Sequence, residues 1–95
     1  MFVHIVCFKY KPGIAALQRA EHKARVGALS DIDGVVEIKM GEDVIRSPRS
    51  YDMGLLILFR DQKAYETYRD HPRHGPVGQL SLALCESIVA ADFEG

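Results

Sequence analysis

The chain has 95 residues, of which 47% are hydrophobic and 26% charged, and its 12 Lys and Arg stand against 13 Asp and Glu for a net charge of −1. That length holds one domain, residues 1–95, with a modest core, and that composition excludes intrinsic disorder. The balanced charge argues against nucleic acid or anionic membrane as a partner, and two cysteines are too few for a disulfide framework.

Residues 2–10 are dense in β-branched and aromatic side chains and run into Pro12-Gly13, which predicts a strand followed by a turn. Phe2, His4, Val6 and Phe8 fall on one side of this strand and Val3, Ile5 and Cys7 on the other, so both faces need cover. The run is too short for a signal peptide, and Lys9 and Lys11 stand where small residues would be needed. No apolar stretch approaches the about 20 residues that cross a bilayer, so a soluble, cytoplasmic protein with free cysteines is expected. Residues 14–29 change to helical spacing, with Ile14, Leu17, Ala20, Ala24 and Ala28 as the expected inward stripe. Asp33-Gly34 signals a turn, residues 35–40 alternate as a half-exposed strand, and residues 41–50 read as a polar loop.

Residues 51–59 form a second strand that is apolar on both faces, with Met53, Leu55, Ile57 and Phe59 opposite Gly54, Leu56 and Leu58. Asp61 is placed to cap a helix in which Ala64, Tyr65 and Tyr68 share a face, and Pro72 stops it. A short helix is expected from Pro76, with Val77, Leu80 and Leu84 inward, and residues 87–93 close the chain as a strand. The order strand, helix, strand, strand, helix, strand predicts an α+β, ferredoxin-like split βαβ fold with a four-stranded antiparallel sheet. Helices cover only one face of such a sheet. Leaving Ile5, Cys7, Leu56, Leu58 and Val89 exposed would forfeit about 1.5 to 3 kcal/mol for each large side chain, so a homodimer formed by pairing two sheets is expected.

Five segments in this order, HIVCFKYKPG (4–13), GEDV (41–44), YDMGLLILF (51–59), YRDHPRH (68–74) and ESIVAADFE (86–94), together resemble the stress-responsive dimeric α/β-barrel, or Dabb, family. The resemblance covers essentially the whole chain and implies ferredoxin-like monomers that pair into a barrel. One plant branch of the family consists of cofactor-independent polyketide cyclases. Its site corresponds here to His4 on the first strand, Tyr68 near the end of the second helix and His74 in the segment after it. Two further features of that site are missing: Met53 stands where a histidine is expected, and the first helix has no tyrosine.

His74, bounded by Pro72 and Pro76, is the leading candidate for acid–base work, because imidazole exchanges protons near neutral pH. Tyr68 and His4 are assigned beside it as polarising donors, and His71 as a weaker neighbour. Val6, Met53, Leu55, Leu80, Leu84 and Ile88 are expected to complete the lining of a cleft between sheet and helices. His4, His71 and His74 could offer three nitrogens to a metal, but Pro72 breaks the helical spacing and no ligand motif supports it, so no metal is assigned. GxGxxG, GxxxxGKS/T and GxSxG are all absent, so nucleotide, phosphate-loop and serine-hydrolase readings have no support, and no cofactor is expected. Three readings stay open: binding of a small, mostly apolar or polyketide-like ligand, cofactor-independent cyclase or lyase chemistry, and a structural or stress-protective role with the cleft filled.

Overall fold

The computed structural model describes residues 1–95. Its order is β1 (Phe2–Tyr10), α1 (Ala16–Gly27), a 3-10 turn (Ala28–Asp31), β2 (Val35–Glu42), β3 (Met53–Phe59), α2 (Gln62–Arg69), α3 (His74–Leu84) and β4 (Cys85–Glu94). The four strands are antiparallel in the order β2-β3-β1-β4, the split βαβ topology expected from the sequence. Central β1 pairs Phe2 with Phe59 and Phe8 with Met53 on one side, and Phe2 with Glu94 and Phe8 with Ile88 on the other. No helix is long and apolar enough to cross a membrane.

Strand alternation decides the two faces. Toward the helices, Phe2, Val6, Phe8, Met53, Leu55, Ile57 and Phe59 are buried beneath Val26, Leu29, Ala64, Tyr68, Val77 and Leu84. On the opposite face three cross-strand rows lie side by side: Glu37, Leu58, Val3 and Phe93; Lys39, Leu56, Ile5 and Ala91; Gly41, Gly54, Cys7 and Val89. The last row has two glycines at its β2–β3 end, and a shallow trough opens there beside Ile5 and Leu56. Val89 and Phe93 are each 47% exposed, so this face is the uncovered one within a single chain.

Helix α1 departs from the expected phase. Leu17, Ala20, Ala24 and Ala28 face solvent, and the inward stripe is His22, Val26 and Leu29, with Ile14 partly buried ahead of it. Alanines bury too little surface to set the rotation of a helix, and His22 can enter the core because both ring nitrogens find partners there. The helix also starts at Ala16 instead of Ile14, where the Gln18 side chain accepts from the Ala15 amide. Strand boundaries shift by two residues at most: β2 continues to Glu42, β3 begins at Met53, and β4 begins at Cys85.

Asp61 caps α2 by accepting the Ala64 amide at 2.8 Å. Helix α3 begins at His74, so His74 belongs to the first turn of a helix and not to a loop, and Pro76 follows within that turn, where a missing N–H costs nothing. Its buried residues Val77, Ser81 and Leu84 follow helical spacing and face the sheet. Both cysteines are free, and burial, reinforced by nearby Asp52, pushes the Cys85 thiol up to about 11, which keeps it protonated and unreactive.

Candidate functional site

A cavity of about 120 Å³ lies between β1, β3 and the three helices. Val6, Phe8, Val26, Leu55 and Val77 form its apolar wall, and His4, Tyr68, His74 and Ser81 supply its polar groups, with Gly78 at its edge. At about 30 Å³ for each molecule of liquid water, this is room for about four water-sized groups. It is therefore neither collapsed nor the about 300 to 1,000 Å³ that drug-sized ligands require.

His4, on the helix-facing side of β1, has its Nδ1 bonded to the Asp92 carboxylate across the β1–β4 pair. That contact leaves Nε2 as the free nitrogen. Tyr68, from α2, packs its ring edge-on against Phe59 at 5.0 Å and against His74 at 4.8 Å between centroids. Burial, reinforced by nearby Tyr65, pushes its phenol up to about 12, so it remains an O–H donor. His74, from α3, rests against Gly78 and is held below its ordinary 6.5 by burial first and by nearby His4 second, with Asp70 opposing. It is therefore a neutral imidazole at pH 7. No hydrogen bond within the chain engages the Tyr68 hydroxyl or the His74 ring, while every fully enclosed polar side-chain atom has a partner.

The other expected lining residues lie elsewhere. Met53 and Leu84 are buried within the core, and Leu80 and Ile88 pack at its edge. Met53 belongs to the same strand face as Leu55 but stands nearer the Tyr10 end of the sheet, where α1 covers it. His71 is also not a neighbour of the cavity. It precedes α3 in the turn set by Pro72, accepts the Arg73 amide through Nδ1, and lines an exposed cleft with Lys63, Glu66 and Asp70.

Two polar residues absent from the sequence-based set sit at or just behind the cavity wall. Ser81 lines the cavity, and His22, wholly buried, stands behind it with Nε2 at 2.8 Å from Ser81 Oγ and Nδ1 at 2.8 Å from the Tyr10 hydroxyl. Phe8 meets the His22 ring edge-on at 4.7 Å. The signal was present in the spacing: His22 lies four residues before Val26 and seven before Leu29, and Ser81 lies four after Val77. Neither stands out while alanines are counted as the apolar face.

Burial lowers the His22 pKa from 6.5, and the sign of its effect on stability follows. The unfolded chain takes up a proton near 6.5 and the folded chain does so only at lower pH, so His22's contribution is complete above 6.5 and is lost as pH falls toward the folded value. His74 acts in the same direction. Urea unfolding is expected to show weaker stability at pH 5.5 than at 7.5, with a shallower decline in His22→Gln. Equal slopes for the two proteins would contradict the buried neutral imidazole.

No curated protein matches the chain in sequence. Among solved structures, a Dabb family protein with a ferredoxin-like fold from Mesorhizobium loti is 28% identical with a TM-score of 0.83, over 99% of this chain and 95% of that one. A dimeric ferredoxin-like protein of unknown function from Jannaschia is 25% identical with a TM-score of 0.86, over 99% and 98%. The hydroxynitrile lyase of Passiflora edulis shares the fold at 21% identity and a TM-score of 0.87, over 97% and 90%. The stress-responsive A/B barrel domain pattern matches residues 2–95, and with this coverage, this topology and these structural relatives the chain belongs to the Dabb family.

Proposed function

We propose that the protein is a homodimer in which each chain binds a small, mostly apolar ligand with one polar end in the cavity between sheet and helices. The observation that carries this reading is the contrast between paired and unpaired polar groups around the cavity. His22 and Ser81 are paired within the chain, whereas the Tyr68 hydroxyl and the His74 ring, on two residues that line the same 120 Å³ space, have no partner within the chain. Such groups keep their hydrogen-bonding capacity free for an occupant of the cavity, and a ligand that supplies a partner while covering the apolar wall makes both kinds of contact. The volume sets the ligand at about four or five non-hydrogen atoms. The uncovered sheet face supports the dimer, as do the relatives described as dimeric.

Titration of isotopically labelled protein with three- to five-carbon alcohols and carbonyl compounds tests this reading. Amide signals of Val77, Gly78 and Ser81 are expected to shift, and His74→Ala and Tyr68→Phe should each weaken binding about three- to tenfold while the dimer persists. Unchanged affinity in a folded His74→Ala dimer would sink the assignment.

A second reading, cofactor-independent lyase or cyclase chemistry, is favoured by one specific observation: His74 is neutral and faces the cavity beside a phenol that stays protonated. In that reading His74 accepts a proton from the ligand, Tyr68 donates a hydrogen bond to the oxygen where charge develops, and His4 polarises the same end. The Passiflora enzyme shows that this fold accommodates a hydroxynitrile lyase. Turnover would fall as pH drops below 6.5 and His74 becomes protonated.

A further inference from the structure

The hydrogens of the Tyr10–His22–Ser81 chain can be assigned by counting partners. Ser81 Oγ lies 3.2 Å from the Val77 carbonyl, which can only accept, so the single hydroxyl hydrogen of Ser81 is directed there. The 2.8 Å contact with His22 must then be a bond from Nε2–H to Ser81 Oγ, and the unprotonated Nδ1 accepts the Tyr10 O–H. The opposite tautomer would have Nδ1–H facing the Tyr10 oxygen. It would leave the Tyr10 hydroxyl hydrogen with no acceptor within the chain and would withdraw the bond to Val77. The first arrangement pairs all three hydrogens.

We infer that His22 is a specificity-determining residue: by donating to Ser81 it turns the cavity side of that hydroxyl into an acceptor, so the site selects small alcohols over the matching carbonyl compounds. This rests on the cavity reading proposed above. With its hydrogen given to Val77 and one lone pair engaged by His22, Ser81 retains one lone pair, and it lines the cavity. Tyr68 offers a donor to the same space. A ligand hydroxyl satisfies both, accepting from Tyr68 and donating to Ser81. A ketone of the same skeleton accepts from Tyr68 and leaves the Ser81 lone pair facing carbon. His22 does not reach the cavity itself and acts only through Ser81, so it is a positioning residue.

The test compares 2-butanol with butanone, which share a carbon skeleton close to the size of the cavity. Titrated into the labelled dimer and followed at the Val77, Gly78 and Ser81 amides, the alcohol is expected to bind about tenfold more tightly, the effect of one satisfied against one unsatisfied buried hydrogen bond. His22→Gln should keep the preference, because its amide nitrogen donates to Ser81 and its oxygen accepts from Tyr10. The double variant Tyr10→Phe/His22→Phe leaves no core hydroxyl unpaired and frees Ser81 to turn its hydrogen toward a ligand carbonyl, so the ratio should fall to about one. Ser81→Ala should erase the preference as well, and it provides the answer if the double variant does not fold. Equal binding of both compounds to the wild type, a preference that persists in the folded double variant, or one that survives Ser81→Ala, overturns the role of His22 while the cavity reading stands. Binding of neither overturns both.

Discussion

Ile5→Asp is expected to abolish the proposed dimer and leave the chain monomeric or aggregated. Ile5 sits at the middle of the uncovered face, between Leu56 on β3 and Ala91 on β4, with no basic side chain directly across either strand. A carboxylate there cannot reach solvent once two sheets stack, and an uncompensated buried charge costs about 3 to 5 kcal/mol. Two-fold pairing places the charge twice in one interface, which brings like charges together and adds repulsion. Leu56 is the less decisive position, because Lys39 lies directly across from it and would pair with an introduced carboxylate. Sedimentation velocity at micromolar concentration reads the outcome. A stable Ile5→Asp dimer would show that this face is not the interface, and a well-folded wild-type monomer would remove the dimer altogether.

Gly34→Ala is expected to lower the melting temperature by at least about 10 °C and to disturb the cavity from a distance. Gly34 has φ +92, in the left-handed region, and a Cβ built there would lie 2.5 Å from the Ala64 Cβ on α2. The backbone conformation costs about 1 to 3 kcal/mol for a residue with a side chain, and the forced repacking costs about 1 to 3 more. For a domain of this size each kcal/mol moves the midpoint by about 4 to 8 °C. Ala64 is one helical turn before Tyr68, so displacing α2 also displaces a residue that lines the cavity. Gly13→Ala is the control, since Gly13 has φ +86 with nothing within 4 Å of the added carbon. Calorimetry should place Gly34→Ala well below Gly13→Ala. Equal losses would mean that close packing against α2 contributes nothing.

The fold and the site differ in how far local sequence reaches. Strands β1 and β3 read clearly because period-two alternation is a property of the backbone, and their second apolar face predicted an uncovered surface for the same reason. Asp61, Pro72 and Pro76 mark the ends of α2 and α3 through hydrogen bonds each can or cannot make locally, although α3 begins two residues before Pro76, at His74. His4, Tyr68 and His74 lie on three different elements that meet at one cavity.

What the sequence by itself determined is therefore the element order and the two-faced sheet. The rotation of α1 was decided only by tertiary structure. His22 enters the core because Tyr10 and Ser81, 12 and 59 residues away in sequence, meet its two nitrogens there. Burial of an imidazole is tolerable only when such distant partners exist, and helical periodicity carries no information about them. The displacement of Met53, Leu80, Leu84, Ile88 and His71 from the cavity has the same origin. Each has the chemistry of a lining residue, but the depth at which the helices settle on the sheet decides which side chains border the remaining space.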